Sequence, residues 1–178
     1  MSYTPERTPD TQMRLIVLYT LNKLGICYDT QLFAFLSDRD LCNWMEMMFS
    51  LDDLCQQGCC VRQTRMGKGM YSVTEAGREA LALFSARVPD SVKKAVEAGA
   101  AEAKEQFRRE QTCVSETVRT PEGNWESRMI VMDGPLPAMT LTLPMPDERS
   151  ARAAQEKWQK VGGEIYMYLI TRLAEDEP

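Results

Sequence analysis

Three closely spaced cations are the residues of this sequence best suited to chemistry. Arg62, Arg65 and Lys68 lie in a stretch from Val61 to Val73 that holds no acidic residue. Such groups hold phosphate, arginine as a planar fork of donors and lysine as a point charge. Gly67 and Gly69 flank the lysine and would let the backbone approach an oxyanion. Upstream, Asn43 and Ser50 are of the types that bond adenine edges or phosphate oxygens. The plainer reading of the three cations is a hairpin kept soluble by its charges.

Other chemistries lack their parts. The chain has no histidine, so neither Ser-His-Asp nor Cys-His pairs can form within it. It contains no G-x-x-x-x-G-K-[ST] phosphate loop, no G-x-G-x-x-G and no G-x-S-x-G. The six cysteines (Cys27, Cys42, Cys55, Cys59, Cys60 and Cys113) include no C-x-x-C, and the Cys55, Cys59, Cys60 group is wrongly spaced for standard zinc sites. They are expected to be reduced, small apolar fillers. No enzyme, cofactor or metal site is expected.

Composition limits the partners. The 178 residues are 44% hydrophobic, as in a core-forming protein. A net charge of −5 provides no global field for a polyanion, so any nucleic-acid contact must be local. Residues 1–89 carry nine Lys/Arg against ten Asp/Glu, and residues 90–178 carry twelve against sixteen. No apolar run approaches the ~18 residues of a membrane span, and the opening Met1 to Arg7 is polar. The expectation is a cytoplasmic protein without a membrane partner.

The elements that must position these residues follow from periodicity. After a polar arm with Pro5 and Pro9, Asp10 is placed to cap a helix with one buried face (Met13, Ile16, Val17, Thr20, Leu21, Leu24) ending at Gly25. Thr30 opens a short helix, which the turn Ser37 to Asp40 interrupts. A third helix carries Trp44, Met47, Leu51 and Leu54 inward and stops at Gly58. Its outward positions then include Asn43, Glu46, Phe49, Ser50 and Asp53, with Asp52 on the flank. Cys59 to Thr64 and Met70 to Val73 alternate as two strands around a turn at Met66-Gly67-Lys68-Gly69. Thr74 caps a further helix with Ala76, Ala80, Leu81 and Phe84 on its inner side.

Three helices, a hairpin and a helix is the winged-helix order. The run Leu54-Cys55-Gln56-Gln57-Gly58, the hairpin, and Tyr71-Ser72-Val73-Thr74-Glu75-Ala76-Gly77 resemble the pattern shared by many bacterial winged-helix regulators. With Val88-Pro89-Asp90-Ser91, the chain resembles an uncharacterised family of bacterial winged-helix proteins that carry an added C-terminal domain, a family described only as a domain of unknown function or as transcriptional regulators. That resemblance implies a fold better than an activity.

Beyond Pro89, Asp90 opens a long helix to about Glu110, whose stripe Ala95, Gly99, Ala103 would admit a close neighbour, either within the chain or at a dimer contact. Strands follow at Cys113 to Val118, Trp125 to Met132 and Ala138 to Leu143, the last ended by Pro144. Asp147 opens a helix, and Gly162-Gly163 separates or kinks it from a last one. The fold class is α+β. An N-terminal winged helix-turn-helix (1–89) and a connecting helix (90–111) precede a C-terminal domain (112–178), a three-stranded antiparallel sheet with two helices.

The expected function is a DNA-binding transcriptional regulator acting as a homodimer. Arg62, Arg65 and Lys68 would hold phosphates of double-stranded DNA while Asn43 and Ser50 touch it from the third helix. Glu46, Asp52 and Asp53 would repel the DNA backbone, so binding per domain should be weak, and a dimer would link two weak events. The alternative is a protein-interaction adaptor, because Met45 and Phe49 point an apolar patch outward. Trp125, Trp158 and Tyr166 are candidates to line an effector pocket, although such residues are more often core.

Overall fold

The computed structural model describes residues 10–65 and 67–174. The polar arm with Pro5 and Pro9, and Met66 of the expected turn, lie outside them. The chain divides into two compact units, residues 1–105 and 106–178.

The first unit is built around α1 (Asp10–Leu24). Leu15 to Leu21 are buried without a break, so this helix has no solvent face over its middle turns. The single buried face expected of it is corrected: α2 (Asp29–Ser37), α3 (Trp44–Gln56), α4 (Glu75–Phe84) and β3 (Lys68–Val73) all pack against it. Thr20 is tolerated there because its hydroxyl donates to the Ile16 carbonyl at 2.8 Å. A two-residue strand, β1 (Cys27–Tyr28), precedes α2 (Asp29–Ser37) and α3 (Trp44–Gln56). Strands β2 (Cys60–Arg65) and β3 (Lys68–Val73) form a hairpin, and β1 joins β3 to make an antiparallel sheet of order β1-β3-β2.

Local chemistry fixes the joints. Gly58, at φ +72°, ends α3 in the left-handed conformation and lets Cys59 N–H reach the Leu54 carbonyl at 2.8 Å. Helix α4 (Glu75–Phe84) opens at Thr74, whose side chain accepts from Gly77 N–H and donates to the Gly58 carbonyl at 2.6 Å. Thus one residue clips the start of α4 to the end of α3. Gly77 is buried on that face, where a Cβ would strike the Cys59 carbonyl and the Val73 side chain. The inner side of α4 is therefore Gly77 and Leu81, with Ala80 half-buried, while Ala76 and Phe84 are exposed.

Helix α5 (Asp90–Thr112) shows what its small residues admit. The Arg39 guanidinium occupies the space a Cβ on Gly99 would need. It donates to the carbonyls of Ala95 and Phe35, each at 3.0 Å, and stacks 3.7 Å from the Phe35 ring. A side chain from the same unit thus fills this part of the stripe. Glu97 adds a second tie, accepting from Tyr19 at 2.7 Å and pairing with Lys23 at 3.0 Å.

The second unit is a meander, β4 (Cys113–Arg119), β5 (Trp125–Asp133) and β6 (Leu136–Met145), in the order β4-β5-β6, covered on one face by α6 (Glu148–Ala174). Two expectations are corrected here. Strand β6 runs through Pro137 and Pro144, because it lies at the sheet edge, where a missing N–H removes no ladder bond. The second correction is that α6 is one helix and not two. Gly162 is buried against the sheet, where a Cβ would meet Trp158 at 2.8 Å and Cys113 Sγ at 3.0 Å. Glycine is there for close approach, and the helix continues through it. Trp158 is core, with Cys113, Met129 and Val131 around it, and its indole N–H donates to the Ile130 carbonyl at 3.2 Å. Tyr166 packs partly buried on the same cluster, so both residues belong to the core of this unit.

Candidate functional site

The hairpin positions its cations by strand alternation. Register pairs Arg65 with Lys68 as the last rung before a two-residue turn, and Gly67 in that turn has φ +75°. Side chains alternate between faces, so Arg65 and Lys68 share one face with Met70 and Tyr28, while Arg62 shares the other with Tyr71 and Cys60. The three cations do not form one patch.

Each face has its own electrostatics. Lys68 Nζ stands 5.8 Å from the Tyr28 ring centre. Burial raises the Tyr28 phenol above its ordinary value, and the Arg65 charge opposes that rise. On the opposite face Tyr71 is raised by burial, with Arg62 lowering it and Asp29 and Asp52 raising it. The Tyr71 hydroxyl is buried with no hydrogen-bond partner among the described residues. A Cβ on Gly69 would stand 3.1 Å from Asp29 Oδ2 and 3.2 Å from Arg62 Nε. Gly69 is itself buried. Both charged groups lie close over the strand where a side chain at this position would stand, and the expected phosphate approach at Gly69 is corrected. Because Asp29 lies on another element, the acid-free stretch from Val61 to Val73 could not reveal it. The signal missed was β1, two residues long and too short to show a period. Arg62 therefore shares its face with a carboxylate, whereas Arg65 and Lys68 lie together on the other face.

Helix α3 is rotated from its expected setting. Met47, Ser50, Leu51 and Leu54 are buried, and Met45, Phe49, Asp52 and Gln56 form the exposed line. Ser50 is therefore corrected: it lies on the inner side at 4% exposure, away from any duplex. Trp44, expected inside, is 38% exposed and meets Phe33 edge-on at 5.2 Å. Asn43 is exposed, but its side chain accepts from Glu46 N–H at 2.9 Å while the Glu46 carboxylate accepts from Asn43 N–H at 3.0 Å. This reciprocal cap commits both side chains to the helix start. Asp53 pairs with Arg14 of α1 at 3.0 Å. Two of the three expected repelling carboxylates thus have partners in the chain, and the exposed line on α3 carries Asp52 and no cation.

All six cysteines are thiols. Among the described residues, no three potential metal-ligating side chains converge, and no helix is long and apolar enough to cross a membrane.

Fold and site define an α+β protein of two units, with a small sheet extended into a cationic hairpin. The chain belongs to the family described as Domain of unknown function (DUF4364), whose model matches residues 13–173. No curated protein and no solved structure matches the chain.

Proposed function

We propose that the protein is a cytosolic winged-helix regulator that binds duplex DNA as a homodimer, holding the phosphate backbone with its wing and leaving little base reading to α3. The observation that carries this reading is the Arg65–Lys68 rung. Two cations on one rung place two charge-assisted donors for a phosphate side by side. Cations on both faces of a hairpin also suit a groove, where a phosphate row runs along each wall. The exposed line on α3 adds no arginine or lysine for a base edge, which favours binding with weak sequence preference. The last turns of α6 favour a dimer: Met167, Tyr168, Ile170 and Leu173 are exposed there, an apolar surface that association would cover.

The test is binding to random-sequence duplex at low salt. A double change, Arg65→Glu with Lys68→Glu, is expected to abolish most of it, and Arg62→Glu, which removes one cation from the other face, to weaken it less. Equal binding by the double variant and the native chain would overturn the reading. A second reading, a protein-interaction adaptor, is favoured by Met45 and Phe49, exposed at 56% and 62% on one line of α3.

A further inference from the structure

Away from the wing, α1, the end of α3 and α4 line an open pocket of about 220 Å³. Leu15, Leu18, Leu54 and Ala80 contribute apolar walls, and Phe84 stands at its edge. Two arginines, Arg14 and Arg87, also line it. We infer that this pocket binds a small organic carboxylate, with an apolar body about the size of a benzene ring and a short acid arm directed at the arginines.

Size and charge both limit the occupant. A cavity of ~150 Å³ in another protein holds benzene, so this pocket has room for such a ring and a few further atoms. Arg87 stacks on Phe84, its guanidinium 5.1 Å from the ring centre, and makes no hydrogen bond or ion pair among the described residues. Arg14 gives one donor to Asp53 at 3.0 Å and one to Thr11 at 3.3 Å. A guanidinium has five N–H donors, so three remain without breaking either bond. Asp53 cancels much of the Arg14 charge, and Arg87 is what makes the lining net positive. An anion therefore fits here, and a neutral body without the acid would lose the charge-assisted bonds. Because Leu54 and Gln57 close the side belonging to α3 and Cys59 leads into β2, an occupant would touch both elements that lead to the hairpin.

Calorimetric titration of the full-length protein with phenylacetate and with phenylacetamide tests the inference without reference to DNA. Phenylacetate is expected to bind at least about tenfold more tightly than the amide, the scale of one charge-assisted bond. Arg87→Gln should remove that preference while leaving the amide unaffected. Arg87 is exposed, so this variant should fold, which circular dichroism would verify. Equal affinity for acid and amide, or an Arg87→Gln variant that keeps the preference, would overturn the inference. So would the absence of phenylacetate binding at millimolar concentration.

Discussion

At the scale of single residues, Cys27 and Cys60 are the most perturbed groups. Burial pushes both thiols up to about 12 from 9.0, and Asp29 adds to the rise at Cys27. Unfolding would return them to the ordinary value, so above pH 9 the native state binds more protons than the unfolded one. Their stabilising contribution is therefore complete below that pH and is lost as pH rises towards the folded values. Urea midpoints should fall across this alkaline window, and a Cys27→Ala, Cys60→Ala double variant should show a shallower fall. An identical slope would contradict the assignment. Side-chain type was legible at this scale, but commitment was not. Asn43 was recognisable as a polar residue beside α3, yet only geometry shows its oxygen engaged by Glu46 N–H. Ser50 lies close to the border between faces, and a small helix rotation takes it from solvent to core.

At the scale of elements, glycines carry opposite meanings at neighbouring positions. In α6, Gly162 is packed against Trp158 and Cys113, whereas a Cβ on Gly163 would meet nothing within 4 Å. Helix propensity alone favours alanine at both, by up to about 1 kcal/mol. Gly163→Ala should therefore stabilise the protein by that order. Gly162→Ala should destabilise it, because an overpacked core costs about 1–3 kcal/mol. Thermal unfolding of the two variants would test this, and equal gains would show that α6 does not approach the sheet so closely. The order of long helices and the hairpin were readable because apolar spacing and the Gly58 and Thr74 joints are local signals. By contrast, β1 depends on pairing with β3 far along the chain, and the single course of α6 depends on a sheet surface that Gly162-Gly163 alone cannot reveal. Strand β6 passes through its prolines because of its edge position, a property of sheet order and not of its own sequence.

At the scale of the whole molecule, an acidic chain is proposed to meet a polyanion through a few local cations, and doing so as a dimer compensates for weak single contacts. Light scattering should give twice the 20.3 kDa chain mass. Ile170→Glu with Leu173→Glu should return the monomer, since charges on an apolar contact are not accommodated. A native chain that stays monomeric at high concentration would remove the dimer. The central proposal, that the β2–β3 hairpin holds phosphates as a wing, is tested most directly by the salt dependence of duplex affinity. Each phosphate neutralised contributes a slope of about −0.9 to log K against log salt. Two or three cations per hairpin predict a slope between about −1.8 and −2.7 per bound protomer, reduced towards zero by Arg65→Glu with Lys68→Glu. A slope unchanged by that pair of substitutions, or no binding at low salt, would contradict it.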